Sequence, residues 1–119
     1  MLTHRKDGGA NSAIAKVAAN ATSYAHRDKL FLYQFYDRVF SGSYPSNGFP
    51  FLQNFISSAT STMKSEDWGM YINYADTQLD QTTAQNNYWR ANLPRLQQIK
   101  KALDPTEVFY YPQSVRPSA

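Results

Sequence analysis

The sequence predicts an α+β fold, a partial antiparallel sheet followed by helices toward the C-terminus. Three stretches carry that prediction. Residues 29–40 are strand-like and aromatic. Residues 50–64 repeat apolar side chains at helical spacing, and residues 93–103 do so again behind Asn92 and Pro94. The chain has 119 residues, 42% hydrophobic and 18% charged, a composition that suits one packed domain better than a disordered tail.

Taken in order, residues 1–12 are polar and contain Gly8 and Gly9. With the short apolar stretch 13–19, a weak strand or loop, they read as an irregular lead-in as far as residue 20. Residues 21–26 are a candidate partner strand, with Arg27-Asp28 in the connection. In the aromatic strand, alternation sends Phe31, Tyr33 and Phe35 to one face and Leu30, Leu32, Gln34 and Tyr36 to the other. Large apolar groups on both faces predict a strand covered on both sides. Ser41 to Gly48 is a loop. Phe51, Leu52, Phe55, Ile56, Ala59 and Met63 then mark an amphipathic helix over 50–64, with Pro50 in its first turn. Residues 68–76 form a second strand-like run, and 77–87 are polar loop or surface helix. Asn92 is placed to cap a last helix whose face is Leu93, Leu96, Ile99 and Leu103, stopped by Asp104-Pro105. The tail from Val108 to Val115 is extended and apolar enough to dock.

Composition narrows the function classes. Nine Tyr and seven Phe suit surfaces that are half apolar and half hydrogen-bonding, such as pockets and interfaces. A net charge of +3 is too mild to indicate nucleic acid. The absence of Cys removes disulfides, thiolate metal sites and Cys nucleophiles. His4 and His26 are too few and too far apart for a metal site. No apolar run is long enough to cross a bilayer, and the N-terminus lacks the apolar core of a signal peptide, so no membrane partner is expected. Asn20-Ala21-Thr22 is an N-glycosylation pattern, though one common by chance, and the compartment stays open. Arg90, Arg95, Lys100 and Lys101 read as a solvated helix face. No Gly-rich fingerprint follows a strand, so the chain has no pyrophosphate cradle of its own.

Four ordered segments carry a resemblance. They are Ala21-Thr22-Ser23-Tyr24-Ala25-His26-Arg27-Asp28, then Tyr71-Ile72-Asn73-Tyr74-Ala75-Asp76, then the run from Asn92 to Lys100 with Asp104-Pro105, and last Val108-Phe109 with Pro112-Gln113-Ser114-Val115. Together they resemble the C-terminal region of berberine-bridge-type FAD-linked oxidoreductases, of the vanillyl-alcohol-oxidase class. The resemblance implies that residues 21–70 end a substrate-domain sheet and add one helix. Residues 71–119 would be the berberine-like segment, whose helices pack on an FAD-binding domain. It implies FAD as cofactor, bound only with that domain, and a small-molecule substrate such as a sugar or secondary metabolite. One departure stands out. Relatives often have Gly two residues before the Asn of the third segment. Here Arg90 replaces it, which counts against a left-handed turn there.

In such oxidases a base removes a substrate proton while hydride passes to the flavin. A Tyr can serve if its surroundings favour the phenolate. The resemblance points to Tyr74 as the proton acceptor and to Tyr71 and Asn73 as flavin contacts. Strand parity would put Tyr71 and Asn73 on one face and Tyr74 on the other, unless a bulge intervenes. The substrate-facing position on the aromatic strand falls at Tyr33 or Gln34, since a one-residue slip exchanges the faces. The ordinary alternative is that these tyrosines are half-buried strand aromatics. Two functions follow: an oxidoreductase segment inactive as the isolated chain, or a vestigial or protein-interaction domain. In either case an uncovered aromatic face would favour association with a partner or a second copy.

Overall fold

The computed structural model describes residues 2–119. Its sheet is a two-stranded antiparallel ribbon of β1 (Leu2–Lys6) and β2 (Phe31–Phe35), with Leu2 opposite Phe35 and Lys6 opposite Phe31. The partner strand therefore comes from the supposed irregular lead-in. Residues 21–26 run as a bent connection instead. Strand pairing is made by backbone groups, so a polar run pairs wherever an edge is offered. Gly8 and Gly9, both at positive φ, turn the chain out of β1. The N–H groups of Asp7 and Gly8 both donate to the Leu30 carbonyl, at 2.9 and 3.3 Å.

β2 is shorter than the aromatic run that announced it. Beyond it the Asp37 carboxylate accepts from the Arg38 N–H at 2.9 Å, a local bond that competes with pairing. Nor is the strand covered on both sides: Phe31 is 42% and Tyr33 45% exposed. Helix α1 (Gly48–Thr60) packs against it through Phe35 and Phe55, whose ring centroids are 6.2 Å apart. α1 begins two residues before Pro50, and Gly48 is needed there because a Cβ would run into the Tyr44 ring. Residues 68–76 are not a strand. They run irregularly to an extended Tyr71, where the Tyr74 N–H donates to the Tyr71 carbonyl at 2.8 Å, closing a 3₁₀ turn over Ile72–Tyr74.

The core lies where the sequence looked most polar. Helix α2 (Gln81–Trp89) starts at Asp80, whose carboxylate accepts from the Thr83 N–H at 3.0 Å and the Thr83 hydroxyl at 2.6 Å. Its Ala84, Tyr88 and Trp89 are buried, and Met70, Ile72, Leu79, Leu93, Leu96 and Val115 pack around them. Arg90 ends α2 at φ 49° and ψ −131°, so a positive φ is kept there without Gly, though not a left-handed helical turn. A 3₁₀ turn (Arg90–Asn92) leads into α3 (Leu93–Leu103). Asn92 does not cap α3 with its side chain. Its amide is buried and donates to the carbonyls of Ala19 at 2.8 Å and Thr22 at 3.1 Å, tying the N-terminal loop to the helices.

α3 stops at Asp104, as expected. The Asp104 carboxylate accepts from the N–H groups of Val108 at 2.7 Å and Phe109 at 3.0 Å and pairs with Lys100. That partner takes Lys100 off the solvated face, as backbone carbonyls do Arg90 and, more loosely, Arg95. The tail docks only in part: Phe109 is 80% exposed, whereas Gln113 is buried. The whole is flat, 43 × 39 × 24 Å, with a radius of gyration of 16.1 Å. A compact domain of this length has about 13.5 Å.

Candidate functional site

A groove of about 740 Å³ opens between β2, α1 and residues 67–78. Its aromatic wall is the outward row of β2, where the rings of Phe31 and Tyr33 lie 5.8 Å apart and those of Tyr33 and Phe35 6.0 Å. α1 extends that wall with Phe49, Leu52 and Ile56. Asp37, Asp67 and Asp76 supply negative charge around the lining. Tyr71 and Tyr74 close the side facing α1 and β2.

The 3₁₀ turn overrides the strand parity expected for these tyrosines. With three residues per turn, positions i and i+3 eclipse. Tyr71 and Tyr74 therefore point together, with ring centroids 5.5 Å apart and edge to face. Asn73 swings back, and its amide donates to the Tyr71 hydroxyl at 2.8 Å. An edge-to-face series continues behind them, from Tyr71 to Tyr24 at 5.8 Å and from Tyr24 to His26 at 5.9 Å. Tyr74, which lines the groove, is 40% exposed.

The structure thus brings Tyr33, Tyr71 and Tyr74 to one groove. Asn73 lines a smaller adjoining recess of about 320 Å³ with Ser23, Tyr24, Leu32, Tyr71 and Ile72. Tyr71 and Leu32 border both spaces. Gln34, one residue from Tyr33, takes the other face of β2 and lines neither.

Behind the tyrosines lie His26, Tyr88 and Arg90, none of which was assigned to the site from the sequence. His26 is buried, with Nε2 3.1 Å from the Tyr88 carbonyl, and Gly69 has no Cβ because one would strike the imidazole. Burial first, then the positive charge of Arg90, holds His26 below the ordinary imidazole value of 6.5. The Arg90 guanidinium donates to the carbonyls of Ser65, at 2.8 Å, and Trp68. Burial also raises the Tyr88 phenol above its usual 10, so its hydroxyl stays protonated. Among the described residues no cluster of His, Asp and Glu could hold a metal ion.

Residues 70–116 match the family described as berberine and berberine like. A xylooligosaccharide oxidase of Thermothelomyces thermophilus is 55% identical over 114 residues, which cover 93% of this chain and 23% of that protein. The solved structure of a xylooligosaccharide oxidase from Myceliophthora thermophila C1, in complex with xylobiose, superposes with a TM-score of 0.89 at 52% identity. It covers 99% of this chain and 25% of that one. A glucooligosaccharide oxidase from Acremonium strictum, carrying a 6-S-cysteinyl, 8α-N1-histidyl FAD, gives 0.87 at 44% identity over 99% of this chain and 26% of its own. The chain spans about a quarter of the length of these relatives.

Proposed function

The chain belongs to the berberine and berberine-like family of FAD-linked oxidoreductases, as a C-terminal segment, and from that premise we propose that it forms one wall of the active site of a carbohydrate oxidase. The observation that carries this reading is the pairing of Tyr71 and Tyr74 across the groove from the Tyr33 row. Aromatic walls suit the apolar faces of sugar rings, and the hydroxyl and carboxylate groups among them suit sugar hydroxyls. The named relatives that oxidise xylo-, gluco- and chitooligosaccharides point the same way.

The residues fit a flavin ring but not a whole FAD. Tyr71 and Asn73, joined at 2.8 Å, offer an aromatic surface and amide groups to a flat heterocycle, whereas the pyrophosphate finds no Gly-rich loop in this sequence. When bound, FAD supplies the hydride acceptor. Tyr74 would take the proton of the hydroxyl on the substrate carbon that is oxidised. Tyr33 stacks against the sugar and excludes water. On this reading the isolated chain does not turn over.

The test is to place this chain in the glucooligosaccharide oxidase in place of the matching quarter and to follow oxygen uptake with an oligosaccharide. Turnover is expected, and Tyr74→Phe should lower kcat by about 10²–10⁴-fold, the usual worth of a positioned general base. Wild-type turnover in Tyr74→Phe would remove Tyr74 from the mechanism. A folded hybrid that binds flavin without turning over would favour a non-catalytic interaction domain.

A further inference from the structure

The turn that carries Tyr74 is closed locally by the Tyr74 N–H to the Tyr71 carbonyl and by the Asn73 amide to the Tyr71 hydroxyl. Just beyond it the Asp76 carbonyl and carboxylate accept from the N–H groups of Leu79 at 3.2 Å and Gln78 at 2.9 Å, and to this local turn are added bonds from far along the sequence. Gln113, buried in the C-terminal tail, donates through Nε2 to the carbonyls of Asp76 at 2.7 Å and Leu79 at 3.0 Å. Its Oε1 accepts from the Tyr88 hydroxyl at 2.8 Å, and that same hydroxyl accepts from the Asp76 N–H at 3.1 Å. The Asp76 peptide groups are therefore gripped on both sides, two residues from Tyr74. Both hydrogens of the Gln113 amide are used, and so are its oxygen and both roles of the Tyr88 hydroxyl. Such a network, buried at Gln113 and Tyr88 and half-buried at the loop, restrains what it holds, and each loss leaves another member unsatisfied.

Gln113 is held in turn. The Ser114 carbonyl accepts from Gln81 Nε2 at 3.1 Å and from Gln85 Nε2 at 2.5 Å, and Val115 packs on the core. The tail is thus strapped along α2 with one amide reaching through to the loop.

We propose that Gln113, acting with Tyr88, is a positioning residue: the tail sets the place of Tyr74 in the groove through the Asp76 peptide. The inference rests on the reading of Tyr74 as the base. Any single contact to Asp76 could be ordinary packing. Two side chains from separate elements converging on both peptide groups of one residue define a fixed point for the loop.

Two variants test it. Tyr88→Phe keeps the ring in the core and removes only the hydroxyl, while Gln113→Glu keeps the shape and removes the two donors. Amide exchange on the full chain should quicken at Asp76 by about fivefold in Tyr88→Phe, the equivalent of one lost hydrogen bond. It should quicken at Asp76 and Leu79 in Gln113→Glu, with α3 unchanged. In the hybrid oxidase both variants should lower kcat several-fold and leave KM within about twofold, because ground-state binding is untouched. Exchange unchanged at Asp76, or raised equally through α2 and α3, would overturn the proposal. So would faster exchange at Asp76 with unchanged kcat. Full turnover in Tyr74→Phe strikes instead at the base assignment, and the exchange data would still decide whether the loop is latched.

Discussion

The two halves of the molecule invert the usual relation between composition and burial. Residues 29–63 hold the densest aromatic run, yet Phe31, Tyr33, Phe49, Phe51 and Phe55 are all exposed. Residues 80–92 are mostly Gln, Asn and Thr, yet Ala84, Gln85, Tyr88, Trp89 and Asn92 are buried. The polar stretch is tied to the N-terminal loop and the C-terminal tail by the amides of Asn92, Gln81 and Gln85, each donating to a backbone carbonyl. The aromatic region packs α1 on β2 through Phe35 and Phe55, and its outer rings line a groove. Burial records which surfaces find a partner, and an amide with its bonds made is as good an interior group as a ring.

The sharpest break of that contrast is a pair of truncations. Trp89→Ala should cost about 3–5 kcal/mol, read as a fall in the urea midpoint. Phe51→Ala, at a ring 53% exposed, should stay within about 1 kcal/mol. Equal costs would mean that the aromatic half is a second core. Next is Asn92→Ala, which strands the carbonyls of Ala19 and Thr22 and should cost about 1–3 kcal/mol, more than an ordinary helix cap. A smaller effect separates the two jobs of Arg90. Arg90→Gly relieves the positive φ and loses the bonds to Ser65 and Trp68, so its cost should be slight. Arg90→Ala loses the bonds, keeps the strain and should be less stable than Gly by about 1 kcal/mol.

The least effect is one of pH. His26 is held below 6.5 in the folded chain, so the unfolded chain binds the extra proton first. Stability contributed by neutral His26 is complete above that value. It falls as the pH drops from 6.5 toward the folded pKa, and His26→Gln should flatten this part of the urea-midpoint profile. Asp104 and Asp80 are held below the ordinary 3.8, the first by Lys100 and the second by Thr83. Their contribution goes only in stronger acid, so the windows are separable.

The sequence disclosed the two amphipathic helices well, because Leu52, Phe55 and Ile56, and again Leu93 and Leu96, repeat at 3.6 residues. It disclosed the Tyr71–Tyr74 segment as a motif but not as a shape. The run from Trp68 to Asp76 reads as strand-like, and the Tyr74-to-Tyr71 bond makes its centre a turn. β1 was hidden because its pairing is a property of the backbone. α2 was underestimated because the scale that ranks Gln and Asn as surface residues takes no account of partners. Asp80 with Thr83 was the one local signal that could have placed its start. The part played by Gln113 is not legible in the sequence, since no periodicity links residues 76 and 113.

The eclipsed pair also works as a ruler. Each residue of a 3₁₀ turn advances the side chain by about 120°, so a single insertion or deletion between Tyr71 and Tyr74 would carry one ring out of the groove entirely. The loops on either side can lengthen or shorten without that penalty. In this stretch of chain, length is therefore under tighter constraint than identity: Ile72 can vary among side chains of similar bulk, while the count of residues between the two tyrosines has to stay at two.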